Sequence, residues 1–150
     1  MKILVGLGTC GIAAGAEQTY AALLEKAGAG AIRCGIEKTG CVGMCYREPL
    51  VEVREDDGTR YQYGSLTREK VDRLVEAHLG RGEILNDWLV WTNREAGSEK
   101  AYIDRQNRIV LRNCGDINPE SIDDYLGVGG YEALRRTLAA GDPEALINTI

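Results

Sequence analysis

The order of apolar segments in the first 80 residues constrains the fold more than any other feature of this sequence. An apolar run from Lys2 to Val5 is followed by a glycine-rich stretch, which is typical of a buried strand that leads into a loop. A helix is predicted next, because apolar residues recur at helical spacing up to Gly28; they are Ala16, Tyr20, Leu23, Leu24 and Ala27. Alternation around Cys34 predicts a second strand.

A hairpin and a second helix complete this pattern. The strand that opens at Leu50 turns at Asp56-Asp57-Gly58 and returns over Arg60 to Tyr63. Thr67 is a predicted cap for a helix whose apolar face is Val71, Leu74, Val75 and Leu79. The resulting order β-α-β-β-β-α predicts an α/β fold with a thioredoxin-like layout.

The character of the sequence changes after Gly82, so we predict three regions. Residues 1–82 form the α/β domain, residues 83–108 form a linker, and residues 109–150 form a short helical extension. Two helix starts in the extension are indicated by Asn118-Pro119-Glu120 and Asp142-Pro143-Glu144, where a capping residue precedes proline and an acid.

Charge and hydropathy exclude several classes of partner. The net charge is −5 and no basic run occurs, so we expect no nucleic-acid binding. No apolar stretch has the length of a membrane span, and the chain starts with a strand, so we expect a cytoplasmic protein without membrane insertion. In a reducing compartment, five cysteines favour metal or redox chemistry over disulfides.

The strongest chemical signal is Cys41-Val42-Gly43-Met44-Cys45. Two thiolates four residues apart, with glycine between them, can turn around one metal centre. Cys10 follows the first strand, and in the predicted layout its loop lies at the same end of the sheet, so three cysteines can converge. The alternative is a tight turn with two buried cysteines.

A 2Fe–2S cluster needs four ligands, and the fourth is not evident. Cys34 is a tentative candidate, although its place on a predicted strand equally fits a small core residue. Cys114 lies beyond the linker and is interpreted as a packing residue or as one that faces a downstream part of the protein. The pattern Gly6-x-Gly8-x-x-Gly11 has the form of a dinucleotide fingerprint, but no further β-α units follow, so we expect no nicotinamide binding there.

Three stretches together resemble a known family. They are residues 8–16 (Gly-Thr-Cys-Gly-Ile-Ala-Ala-Gly-Ala), residues 39–45 (Thr-Gly-Cys-Val-Gly-Met-Cys) and residues 48–51 (Glu-Pro-Leu-Val). They resemble the thioredoxin-like ferredoxin domain in flavoprotein subunits of NADH dehydrogenases and of NAD-linked and electron-bifurcating hydrogenases. Residues 105–119 and 129–134 look like the lead-in to the flavin core of those subunits.

The resemblance implies a cofactor, partners and a ligand pair. A 2Fe–2S cluster is implied, with Cys41 and Cys45 matching the second cysteine pair of the family. The first pair of the family corresponds to Gly6 and Gly11, and Cys10 stands beside the second position. FMN, NADH and 4Fe–4S sites are expected only downstream, so no catalysis is expected from this chain alone, and other subunits of such a complex are the expected partners.

Three functions follow as hypotheses. The first is an electron-transfer domain that passes single electrons through a 2Fe–2S cluster. The second is a cluster-free domain for subunit docking, suggested by Gly6 and Gly11. The third is a thiol redox domain in which Cys41 and Cys45 cycle between dithiol and disulfide.

Overall fold

The computed structural model describes residues 1–94 and 105–149. Strand β1 (Lys2–Gly6) runs parallel to β2 (Gly35–Thr39), with Lys2 opposite Gly35 and Gly6 opposite Thr39. The connection between them contains helices α1 (Thr9–Ala13) and α2 (Ala16–Gly28). Because the two strands are parallel, the loop after β1 and the loop after β2 leave the sheet at the same end.

Three antiparallel strands extend the sheet on the other side of β1. They are β3 (Val51–Arg54), β4 (Arg60–Tyr63) and β5 (Leu89–Thr92). The strand order is β2-β1-β3-β4-β5. Strand β5 lies inside the range 83–108 that the sequence predicted as a linker, so this is a correction: the sheet continues past residue 82. The remaining linker residues 95–104 lie outside the described residues.

The core lies between the sheet and the helices. Helix α3 (Val71–Leu74) continues into one π-helical segment, Val75–Gly80, and packs with α2 on the same face of the sheet. Alternate residues of β1, β3 and β4 point into this core because side chains alternate between the two faces of a strand. The largest fully buried side chains are Tyr63, Ile3, Leu4, Leu23, Leu66, Leu74, Val5, Val51, Val53 and Val71.

The only histidine of the sequence is part of this core. His78 lies in the π-helical segment and is 2% exposed. The hydroxyl of Tyr63 lies 2.5 Å from His78 Nδ1, and Glu55 Oε1 lies 3.0 Å from His78 Nε2. These two hydrogen bonds satisfy both ring nitrogens, which is what a buried imidazole requires.

The opposite face of the sheet carries an ionic network. Glu52 is buried and pairs with Arg54 and Arg60. Both arginines also contact Asp116, at 3.0 Å and 3.1 Å. These ion pairs hold the segment that contains Asp116 against this face of the sheet.

The extension is helical, as predicted. It contains α4 (Ile122–Gly127), α5 (Glu132–Ala140) and α6 (Pro143–Thr149). Asp142 caps α6 by accepting a hydrogen bond from Ala145 N at 3.0 Å, as the sequence indicated. The preceding start was predicted at Asn118, whereas the first helix of the extension begins after Ser121, whose side chain accepts from Asp124 N.

Leu23 and Leu24 of α2 provide a matched test of the core. Leu23 is fully buried, whereas Leu24 is 45% exposed. We expect Leu23→Ala to lower the free energy of unfolding by about 2–5 kcal/mol, because it removes buried contacts and leaves a cavity. Leu24→Ala should change it by less than about 0.5 kcal/mol. Urea denaturation of both variants checks this; equal losses would contradict the placement of α2.

Candidate metal centre

Two cysteine sulfurs lie side by side in the loop after β2. Cys41 Sγ and Cys45 Sγ are 3.7 Å apart, and both residues are free cysteines. Two sulfurs on one tetrahedral metal, each bonded at about 2.3 Å, lie about 3.8 Å apart. A disulfide would need about 2.05 Å. The pair is therefore spaced as two ligands of one metal centre.

The backbone of this loop explains why the two sulfurs converge. Gly43 has a φ of +90°, a conformation that favours glycine, and its N–H donates to Cys41 Sγ at 3.3 Å. Met44 is 3% exposed and anchors the loop in the protein. A 3₁₀ turn, Cys45–Arg47, follows at once. An amide that donates to a ligating sulfur stabilises the negative charge there, as iron–sulfur sites require.

The loop after β1 contacts the loop of the cysteine pair. Leu7 N donates to Thr39 O at 2.9 Å. A Cβ added to Gly8 would lie 3.1 Å from Cys41 Cβ, so the two backbones pass close to each other. Cys10 follows two residues later in α1 and is exposed. As predicted, Cys10 lies at the same end of the sheet as Cys41 and Cys45.

These three cysteines do not form a closed site for a single ion. Among residues 1–94 and 105–149, no group of three or more histidine, cysteine, aspartate or glutamate side chains is arranged to hold one metal ion. The Cys41–Cys45 pair has the spacing of one metal, and Cys10 belongs to the neighbouring loop.

Cys34 does not reach this site, and its tentative inclusion is corrected here. Cys34 immediately precedes β2, next to the start of β1, whereas Cys41 follows the other end of β2. Five strand residues at about 3.3 Å each separate the two ends by about 16 Å. Cys34 instead lines a shallow cleft with Met1 and Asp56. Burial raises the pKa of its thiol.

The segment around Cys114 lies closer to the site than the sequence suggested. A Cβ added to Gly115 would lie 2.5 Å from Val42 Cγ1, so this segment passes directly over the cysteine loop. Arg54 donates to Gly115 O at 2.5 Å, and Thr39 Oγ1 donates to Ile117 O at 3.1 Å. The sequence did not indicate that the segment beside Cys114 lies against the cysteine loop.

Glu48 is the residue that the sequence did not identify as part of the site. A Cβ added to Gly6 would lie 3.4 Å from Glu48 Oε1, and one added to Gly11 would lie 3.1 Å from Glu48 Oε2. The carboxylate therefore occupies the space that side chains at positions 6 and 11 would enter. The signal in the sequence was an acid three residues after Cys45, next to Pro49, with which it forms a cis peptide bond.

The two oxygens of Glu48 have different surroundings. Oε2 accepts a hydrogen bond from Leu50 N at 2.8 Å. Oε1 is buried and has no hydrogen-bond partner in the described part of the chain. Burial raises the pKa of this carboxyl, and the Leu50 N–H partly opposes that effect.

The surroundings of Cys41 favour its neutral thiol when no metal is bound. Burial is the main cause of its raised pKa, and the neighbouring Cys45 and the charge of Glu48 act in the same direction. The Gly43 N–H acts in the opposite direction. A metal must therefore displace a proton from Cys41 on binding.

Comparisons with known proteins identify the fold. No protein-family model matches the chain. A thioredoxin-like [2Fe-2S] ferredoxin from Aquifex aeolicus superimposes with a TM-score of 0.55 at 24% identity, covering 64% of this chain and 94% of that chain. A cysteine-to-serine variant of that ferredoxin gives a TM-score of 0.53 at 25% identity, covering 60% and 97%. The predicted thioredoxin-like α/β fold is confirmed.

Curated proteins that match part of the sequence include a hydrogenase subunit and a ferredoxin. The NADP-reducing hydrogenase subunit HndC of Solidesulfovibrio fructosivorans is 50% identical over 42 residues, which are 28% of this chain and 9% of that protein. A 2Fe-2S ferredoxin of Clostridium pasteurianum is 34% identical over 50 residues, which are 33% of this chain and 46% of that protein. The chain thus spans less than half the length of either relative. These matches confirm the resemblance to the ferredoxin domain of NADH-dehydrogenase-type flavoprotein subunits.

The described residues also bear on membrane insertion. None of their helices combines the length and the apolar character that crossing a bilayer requires.

Gly11 provides a test of the tight contact between the first loop and Glu48. A side chain at this position would overlap Gly6 O and press on Glu48 Oε2. We expect Gly11→Ala to lower the free energy of unfolding by about 1–3 kcal/mol, as overpacking does. The control is Gly28→Ala, whose added Cβ meets nothing within 4 Å. If urea denaturation shows equal stability for both variants, the loop is not held as described.

Proposed function

We propose that this chain is an electron-transfer domain that holds a 2Fe–2S cluster between the loops after β1 and β2. The observation that carries this proposal is the distance of 3.7 Å between Cys41 Sγ and Cys45 Sγ. In addition, the Gly43 N–H donates a hydrogen bond to Cys41 Sγ. The matched ferredoxins add support: the Aquifex aeolicus protein is a thioredoxin-like [2Fe-2S] ferredoxin, and the Clostridium pasteurianum protein is a 2Fe-2S ferredoxin.

Cys41 and Cys45 are the proposed ligands of one iron. Cys10 is the proposed ligand from the first loop, since it is the one cysteine of that loop. Thiolates suit this role because iron–sulfur clusters are held by soft sulfur ligands. When bound, such a cluster takes up and gives off one electron at a time.

The chain itself contributes charge stabilisation, shielding and access. The Gly43 N–H offsets negative charge at Cys41 Sγ. Met44 and the contact of Val42 with Gly115 shield the inner side of the loop. Cys10 and Cys45 are exposed, so the outer side of the site faces solvent. An electron-transfer partner would approach from that outer side.

We further propose that the chain forms the amino-terminal part of a flavoprotein subunit in an NADH dehydrogenase-type or hydrogenase-type complex in the cytoplasm. In this proposal FMN, NADH and 4Fe–4S sites belong to a downstream part, and the other subunits of the complex are the partners. The extension supports it, because several of its apolar side chains are open to solvent; Ile109, Val110, Leu138 and Ile147 are each more than 70% exposed. Apolar surface of this kind is typical of an interface.

A second candidate function is a cluster-free docking domain. Gly6 and Gly11 supply no ligands, and the Glu48 carboxylate fills the space beside them. In that case Cys41→Ser would leave both assembly and electron transfer of the complex intact. If the cluster is used, Cys41→Ser should preserve assembly and abolish electron transfer through this domain.

Anaerobic reconstitution of the chain with iron and sulfide tests the main proposal. We expect a visible absorption spectrum and, after reduction, an EPR signal. Cys41→Ser and Cys45→Ser should each remove most of the absorbance, because each deletes a thiolate from the same iron. Cys10→Ser should weaken or strongly shift the spectrum.

The matched control is Cys34→Ser, because Cys34 lies at the opposite end of the sheet. Its spectrum should equal that of the unmodified chain. A colourless protein with no bound iron after reconstitution would contradict the proposed function.

A further inference from the structure

The space beside the first loop is filled by a charged side chain and not by an apolar one. Glu48 Oε1 and Oε2 lie within about van der Waals reach of Cβ atoms added at Gly6 and Gly11. In the resembling family these two positions bear the first cysteine pair. An acidic group thus stands where two ligand side chains would otherwise project.

One oxygen of that group lacks the partner that its burial demands. Glu48 Oε1 is buried without a hydrogen bond in the described part of the chain, while Oε2 accepts from Leu50 N. A buried carboxylate oxygen without a donor or a cation is costly, so such groups are rare unless they serve a site.

Glu48 also lies close to the proposed ligands. Glu48 follows Cys45 by three residues, and Gly11, whose added Cβ would lie 3.1 Å from Glu48 Oε2, is the neighbour of Cys10 in the chain. The carboxylate therefore lies against the first loop at Gly6 and Gly11, one residue from Cys10 in the chain.

We propose that Glu48 is the fourth ligand of the cluster, an oxygen donor that takes the place of a cysteine missing from the first loop. Cys41 and Cys45 then hold one iron, and Cys10 and Glu48 hold the other. A carboxylate has the same charge as a thiolate, so the total charge of the four ligands is kept. This inference rests on the proposed function and specifies its ligand set.

One other residue competes for this role, and Glu48 itself has an alternative role. Cys114 belongs to the segment that crosses the cysteine loop, and it is the remaining thiol near this end of the sheet. Alternatively, Glu48 is a structural acid that borders a cavity of about 10 Å³, which has room for no more than one water molecule. Both are outcomes of the experiment below.

The experiment compares full-length variants after anaerobic reconstitution with ⁵⁷Fe and sulfide. For the unmodified chain, the Mössbauer spectrum of the oxidised cluster should contain two doublets of equal area with different isomer shifts, because only one iron has an oxygen ligand. Glu48→Gln should change the doublet of that iron alone, and iron loss to a chelator should be about tenfold faster or more. Glu37→Gln is the matched control, since it removes one exposed carboxylate from β2 and should change neither signal.

Each other outcome is decisive. If the unmodified chain forms a cluster and Glu48→Gln leaves its spectrum and stability unchanged, Glu48 is a structural acid and this inference is wrong while the proposed function stands. If Cys114→Ser, and not Glu48→Gln, alters one doublet, Cys114 is the fourth ligand. If the unmodified chain binds no cluster, the inference and the proposed function both fail.

Unfolding of the metal-free protein separates ligation from folding. Glu48→Gln should unfold in urea at the same or a higher midpoint than the unmodified chain, because it removes a buried charge without a partner. A clearly lower midpoint would show that Glu48 stabilises the fold itself, and would overturn the inference.

Discussion

The parallel pairing of β1 with β2 is the constraint on which the site depends. Because Gly6 lies opposite Thr39, the loops after both strands leave the sheet at one end and come into contact. This contact brings the cysteine pair of the second loop next to the first loop. A slip of the pairing by one residue would also turn Ile36 of β2 away from the core, so packing against the core helps to fix the geometry of the site.

At this end of the sheet, glycines allow the backbones of neighbouring segments to approach each other closely. Glycines at positions 6, 8 and 11 leave room for a carboxylate and for a neighbouring loop. Because glycine has no side chain, these three positions supply no metal ligands to the first loop. One part of the site is therefore well formed, namely the Cys41–Cys45 pair, whereas the first loop carries one cysteine, Cys10, and lies against the Glu48 carboxylate.

The ionic network on the opposite face connects the extension to the site. Arg54 and Arg60 are held by the buried Glu52, and both reach Asp116. Since the Arg54 guanidinium and Glu52 are largely shielded from water, their interactions are stronger than those of exposed pairs. The segment after the linker is thus fixed over the cysteine loop, and its contacts shield the inner side of that loop.

The sequence by itself determined the order of strands and helices up to α3, the cysteine pair and the loop that carries it, but not strand β5. Those features are local: they follow from apolar spacing, turn residues and the four-residue interval between Cys41 and Cys45. Tertiary structure alone decided three others. Cys34 was separated from the site because β2 begins one residue after it, Gly115 was brought over Val42, and Glu48 was directed at Gly6 and Gly11. Each of these depends on contacts between residues distant in sequence or on where a strand begins, which periodicity does not encode.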